Sequence, residues 1–151
     1  MIIMIIIIYH KGQDMETKIF DEILPDEAKD IRIKVFVKEQ GFREEFDKTD
    51  DIATHIVMYD NDQAIATCRF YKRENDYLLG RIAVIKEYRG KHIGAKLIQS
   101  AENEIAKRGG KIIAIHSQLR AKDFYLKQGY KGDGESDFDE GCPHIWVYKN
   151  L

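Results

Sequence analysis

Apolar residues recur along the chain with two different periods, and each change of period marks an element. Lys18–Ile23 reads as a short strand. Pro25-Asp26-Glu27 opens a helix, since proline and acids suit a first turn. Ala28, Ile31, Arg32, Val35 and Phe36 continue it at helical spacing until Gly41. Phe42–Asp51 is acidic and irregular. Ala53–Tyr59 and Gln63–Tyr71 read as strands joined by the turn Asp60-Asn61-Asp62, and Tyr77–Ile85 follows a second polar turn at Arg73–Asp76. Together they predict an antiparallel meander. Helical spacing returns at Ile93, Leu97, Ile98, Ala101 and Ile105, and Gly109-Gly110 ends it. Lys111–Ile115 is a continuous apolar run of the kind buried on both faces. Leu119–Gln128 predicts a further helix, and strands near Tyr130 and at His144–Lys149 close the chain. Strands and helices in this order predict a mixed α/β (α+β) domain.

The amino terminus departs from this pattern. Met1–Ile8 is unbroken apolar sequence, MIIMIIII. It is far short of the roughly 20 residues that a membrane span needs, and it lacks the flanks of a signal peptide. Residues 1–14 are therefore expected to be an extension or an extra edge strand, with the domain at 15–151. A chain starting at Met15 should then fold and bind its ligand.

Composition narrows the classes. The 151 residues, 44% hydrophobic and 33% charged, suit one soluble domain with a core of its own. With 24 basic and 26 acidic side chains the net charge is -2, which argues against nucleic-acid or membrane binding. Cys68 and Cys142 form no zinc-like spacing with histidine, so no metal is expected, and two idle thiols suit a cytoplasmic protein. A monomer and a homodimer both remain open.

The chemistry starts at Gly80–Ala95. A strand runs into a small-residue turn, and the turn opens directly into a helix. Backbone N–H groups at a helix start bind anions, and Gly90, Gly94 and Ala95 remove bulk that would keep a pyrophosphate away. Arg89 and Lys91 add positive charge. Neither G-x-x-x-x-G-K-[ST] nor a post-strand G-x-G-x-x-G is present. An ordinary strand–helix turn with a basic surface is the competing reading.

In this segment the chain resembles the GNAT superfamily of N-acetyltransferases. The family's loop, Gln/Arg-x-x-Gly-x-Gly/Ala after its fourth core strand, is matched by Arg89 and Gly94, with His92 at the first glycine position. His92 keeps its N–H, so the cradle survives provided the backbone there is not left-handed. A second family motif, Asn-x-x-Ala-x-x-Phe-Tyr-x-x-x-Gly-Phe/Tyr, is met from Gln118 through Ala121, Phe124, Tyr125 and Gly129 to Tyr130, with only Gln118 departing. Val35–Gln40 (V-F-V-x-E-Q), Asp47…Asp50…His55 and Gly141-Cys142-Pro143-His144 resemble a branch of small bacterial members.

The resemblance implies a mostly antiparallel sheet of six to seven strands flanked by helices, with splayed central strands. It implies acetyl-CoA as cofactor, pantetheine along Ile82, Ala83 and Val84, phosphates on Arg89, Gly90, Lys91, His92, Ile93, Gly94 and Ala95, and further cofactor contacts from Gln118 and Phe124. It also implies Tyr125 as the acid that protonates the leaving thiolate, against a packing role for its ring. Tyr130 is expected in the core. The acceptor ammonium must lose a proton, and no acid sits on the strand at Gly80-Arg81-Ile82. Glu39, His55 and His116 are the base candidates, each with a structural role as the alternative. His144 lines the acceptor pocket or shapes a strand entry. The acidic stretch Glu44–Asp51 is a solvated loop, or it attracts a cationic acceptor.

The expected function is transfer of acetyl to a primary amine of a small molecule by direct attack in a ternary complex. The alternative is a non-catalytic acyl-CoA-binding module of the same fold.

Overall fold

Two polar turns fold the middle of the chain back on itself. In the computed structural model, which describes residues 5–9, 15–43 and 46–151, Asn61 and Asp62 both take positive φ. That is the geometry of a two-residue hairpin turn. It joins β3 (Thr54–Asp60) to β4 (Gln63–Lys72). The Arg73 guanidinium clamps Asp76 at 2.7 Å in the second turn, which leads into β5 (Tyr77–Val84). Around this meander stand β1 (Ile5–Tyr9), β2 (Met15–Asp21), β6 (Ile112–Gln118), β7 (Lys131–Asp139) and β8 (Cys142–Asn150). The sheet order is β1-β2-β3-β4-β5-β6-β8-β7. Among the described residues, only the β5–β6 pairing is parallel.

Among the described residues the sheet thus has eight strands rather than six or seven. The additional one is β1, built from the apolar run Ile5–Ile8 and paired outermost on β2. Residues 1–4 and 10–14 of the same segment lie outside the described residues.

Thr54–Tyr59 and Ile65–Phe70 are buried at every position, so β3 and β4 are covered on both faces. The elements packed on them are α1 (Asp26–Arg32) and α2 (Ile93–Lys107). On α2, Ile93, Leu97, Ile98 and Ile105 are buried, each contributing about 1.5–3 kcal/mol. The first helix does not stay α-helical: Ile33–Glu39 continues it with the wider π bonding, a change that α spacing through Val35 and Phe36 did not signal. Leu119–Gln128 likewise divides, into a tight turn at Leu119–Ala121 and α3 at Lys122–Lys127. Tyr130 is in the core and donates to Glu102 at 2.9 Å.

Two irregularities position the site. β5 and β6 pair only at Tyr77–Ile113 and Leu78–Ala114, and then part. Beside the gap, Thr67 and Arg69 of β4 face Ala83 and Gly80 of β5, so β5 carries one extra residue. Arg81 absorbs this bulge with φ 50°.

Candidate active site

The parting of β5 and β6 opens a cleft of about 420 Å³. Gly80, Arg81 and Ile82 line it from β5; Ile115, His116, Ser117 and Gln118 from β6. Phe36 and Gln40 enter from the π-helical turn, Tyr125 from α3, and Asp139, Glu140 and His144 from the β7–β8 hairpin. Ile82 and Val84 are half-buried, while Ala83 is buried and paired with Thr67.

At the end of β5 the chain makes one tight turn at Lys86–Tyr88, then passes through Gly90 with φ 76° into α2. His92 stands at φ 62°, ψ 18°, left-handed, contrary to the proviso made for the cradle. This is the conformation that glycine supplies at no steric cost, whereas a residue with a Cβ loses about 1–2 kcal/mol there. His92 therefore holds under strain a conformation that glycine would hold without it. No side chain caps the first turn of α2 among the described residues, and that turn contains no acid. Its N–H groups and the positive end of the helix dipole are left for an anion. Gly90 and His92 are exposed, Lys91 lies 5.1 Å over the Tyr88 ring, and Ile93 offers only backbone because its side chain is buried. Gly94 has a second reason to be small. A Cβ there would stand 3.2 Å from the Phe124 ring, which crosses from α3 toward the loop.

Arg89 is already engaged. Its Nε donates to the Val84 carbonyl at 3.0 Å, and its two terminal nitrogens donate to Glu39 at 2.8 and 2.9 Å. These bonds hold the Glu39 carboxyl below its usual range and leave it a weak base. Gln118 is similarly occupied: its amide donates to Gln40 at 2.8 Å and its oxygen accepts from Arg120 at 2.7 Å.

Tyr125 is only 7% exposed, yet it lines the cleft. Its ring packs edge-on against Phe124 and Tyr130. Burial pushes its phenol well above the ordinary tyrosine value. Opposite, on β6, His116 has a partner that sequence reasoning missed. Its Nε2 lies 2.8 Å from Asp137 Oδ1 of β7, and this bond holds the Asp137 carboxyl below its usual range. His116 stacks on Trp146 at 4.6 Å and lies 4.7 Å from the His144 ring. The only sequence signal for Asp137 was the acidic run Asp137–Glu140 just ahead of Gly141-Cys142-Pro143-His144.

His55 is removed from the list of bases. It is 1% exposed, bonded to the Asp50 carbonyl at 2.9 Å, and burial lowers its proton affinity. The acidic stretch is mixed where it is described: Phe46, Asp47, Lys48 and Asp51 are exposed, with Asp47 at the cleft, whereas Asp50 is buried and paired; Glu44 and Glu45 lie outside the described residues. Asp50 is buried and accepts from Arg32 at 2.8 and 3.2 Å and from Arg69 at 2.7 Å. Burial opposes its ionisation, but the two guanidinium groups outweigh that and hold it at about 2. Asp47 accepts from Arg69 at 2.7 and 3.2 Å. Of the thiols, Cys68 is buried and its pKa is pushed up, which makes it inert.

Comparison with known proteins identifies the family and the fold. The family described as "Acetyltransferase (GNAT) domain" matches residues 21–150. The uncharacterized N-acetyltransferase YjcF of Bacillus subtilis (strain 168) is 32% identical over 123 residues, covering 80% of this chain and 88% of that protein. A crystal structure from Lactobacillus plantarum, assigned as an N-acetyltransferase, superposes with a TM-score of 0.84 at 30% identity, covering 92% of this chain and 99% of its own. An aminoglycoside 6'-N-acetyltransferase complexed with coenzyme A shares the fold, with a TM-score of 0.65 at 18% identity over 83% of this chain and 89% of its own. Among the described residues no helix is long and apolar enough to cross a membrane. With a matched span of this length, the chain belongs to the GNAT acetyltransferase family and is an acyltransferase.

Proposed function

We propose that the chain transfers acetyl from acetyl-CoA to a primary amine of a small molecule, by direct attack within a ternary complex. The observation that carries this reading is the gap between β5 and β6, open beside the bulge at Arg81 and lined by Tyr125 and His116, with the turn into the uncapped start of α2 following the end of β5. The pyrophosphate would sit on the N–H groups of the Arg89–Ala95 turn, and pantetheine would lie along Ile82–Val84 as an added strand. Coenzyme A in the aminoglycoside acetyltransferase, a protein of the same fold, supports the class of ligand.

His116 is the better base. Ionised Asp137 can only accept, so Nε2 of His116 carries the proton and Nδ1 keeps a lone pair. The lone pair takes a proton from the acceptor ammonium, and Asp137 stabilises the imidazolium that results. The freed amine attacks the thioester carbonyl, the C–S bond breaks, the thiolate takes the proton of Tyr125, and the new amide nitrogen gives up its second proton to restore the phenol. A phenol with raised pKa stays protonated until it is needed. Inertness of Cys68 supports attack without an acetyl-cysteine intermediate. Residues 15–151 would suffice for this activity.

A screen of small amines with acetyl-CoA, read as free thiol release, tests the proposal. Turnover with at least one amine, reduced at least a hundredfold in His116→Asn, is expected. Coenzyme A binding without turnover for any amine would favour the non-catalytic module, and absence of binding would overturn both.

A further inference from the structure

His144 and Asp139 are not used by the proposed reaction, yet they converge on His116 at the acceptor end of the cleft. One donor atom from each of the three lies within 4.8 Å of the others. They come from β6, β8 and the hairpin strand β7.

The hydrogen bonds around this trio decide what its nitrogens can do. His144 Nδ1 lies 2.8 Å from the Cys142 carbonyl, which can only accept. Nδ1 therefore carries the proton, and Nε2 keeps its lone pair. His116 has the same arrangement with its nitrogens exchanged, held by Asp137. Each imidazole thus has one free lone pair and one N–H donated to a carbonyl or a carboxylate. That is the outer-partner pattern found around imidazoles that bind metal ions. The rings are also immobilised. His144 is 6% exposed, and His116 is held between it and Trp146.

We propose that His116, His144 and Asp139 bind a divalent ion of the zinc class. Two imidazole nitrogens with one carboxylate favour zinc or a similar transition ion over magnesium or calcium, which take oxygen ligands. A tetrahedral ion with bonds of about 2.1 Å holds its ligand atoms about 3.4 Å apart, so the trio must contract by up to about 1.4 Å. Asp139 is the member free to move, because it is exposed on the hairpin. The fourth position faces the cleft, which all three residues line. Carboxylates of Asp139 and of Asp137 behind His116 would balance the ion's charge. Binding takes the lone pair of His116, so the ion silences acetyl transfer; this consequence, unlike the site, rests on the reading of His116 as base.

The test uses the full untagged chain, stripped with chelator and desalted. Calorimetric titration with zinc chloride should show one ion per chain. Asp139→Asn and His144→Gln should each weaken binding at least tenfold, in proteins whose thermal melts show them folded. Cobalt(II) should give the ligand-field bands of a tetrahedral nitrogen–oxygen site in the wild type and lose them in Asp139→Asn. Absence of saturable zinc binding would overturn the site, and so would an affinity unchanged in both variants. Acetyl transfer should fall in step with zinc occupancy and return with chelator. Stoichiometric binding that depends on Asp139 and His144 but leaves the rate intact would uphold the site and overturn the role of His116 as base.

Discussion

Asp50→Asn removes the charge at the centre of the buried network, and its cost follows from the structure. Asp50 is 4% exposed, with Arg32 at 1% and Arg69 at 5%. Three short bonds join it to them, at 2.8, 3.2 and 2.7 Å. An amide keeps one acceptor oxygen, and its NH₂ faces a guanidinium. Arg69 Nε already has no hydrogen-bond partner among the described residues, so the network has no spare acceptor. Breaking a buried pair by removing one partner costs about 3–5 kcal/mol, set against a total stability of about 5–15 kcal/mol. At about 2–4 °C per kcal/mol for a chain of this size, the melting temperature should fall by roughly 6–20 °C. Asp47→Asn, at a side chain that is 44% exposed, should cost far less. The pH dependence has a definite sign. The Asp50 carboxyl is held at about 2, below its unfolded value. Its stabilisation is complete above about pH 4, the unfolded carboxylate value, and is lost as pH falls through about 2, a term of roughly 2–3 kcal/mol. Thermal melts followed by circular dichroism, at pH 7 and from pH 4 to 2, measure both effects. The gap between wild type and Asp50→Asn should close across the acid range. A variant melting within about 3 °C of wild type would refute the reasoning. If its KM for the amine rose at the same time, the motif would belong to acceptor recruitment instead.

Four further outcomes are expected. Tyr125→Phe should lower kcat by about 10²–10⁴-fold with coenzyme A affinity nearly intact, and the wild-type rate profile should show no alkaline limb from this phenol, because burial keeps it protonated; turnover within about twofold of wild type would make Tyr125 a packing residue. Gly94→Glu should abolish coenzyme A binding by calorimetry and cost about 1–3 kcal/mol of stability, since its Cβ meets Phe124. His92→Gly should raise the melting temperature by a few degrees, as relief of about 1–2 kcal/mol of strain exceeds the roughly 0.4–1 kcal/mol that glycine adds to unfolded-chain freedom; an unchanged or lower value would mean that His92 is not strained. Glu39→Gln should free Arg89 and tighten coenzyme A binding with kcat little changed, whereas a base at Glu39 would show as a large loss of kcat.

Local chemistry was legible in the chain. Apolar runs bounded by polar turns located seven strands and period 3.6 the main helices, because burial and turn chemistry are written into neighbouring residues. The Arg89–Ala95 turn was legible for the same reason: small residues, a preceding strand and a following helix are all within a short stretch. Sequence also pointed to Tyr125 and His116 for the cleft, though not to what surrounds them. Tertiary structure decided the partners. His116 meets Asp137 across 21 residues, Arg32 meets Asp50 across 18, Arg89 meets Glu39 across 50, and Gln118 meets Gln40 across 78. No periodicity encodes such pairs, since they depend on which strands become neighbours and in what register. The acidic stretch shows the consequence. Asp47 and Asp50 look solvated when read alone, and they are bound because β4 carries Arg69 beneath them and the first helix ends on Arg32. The left-handed turn at His92 was hidden for the complementary reason: a residue with a Cβ disfavours that conformation locally, and only the packing of α2 onto the sheet holds it there.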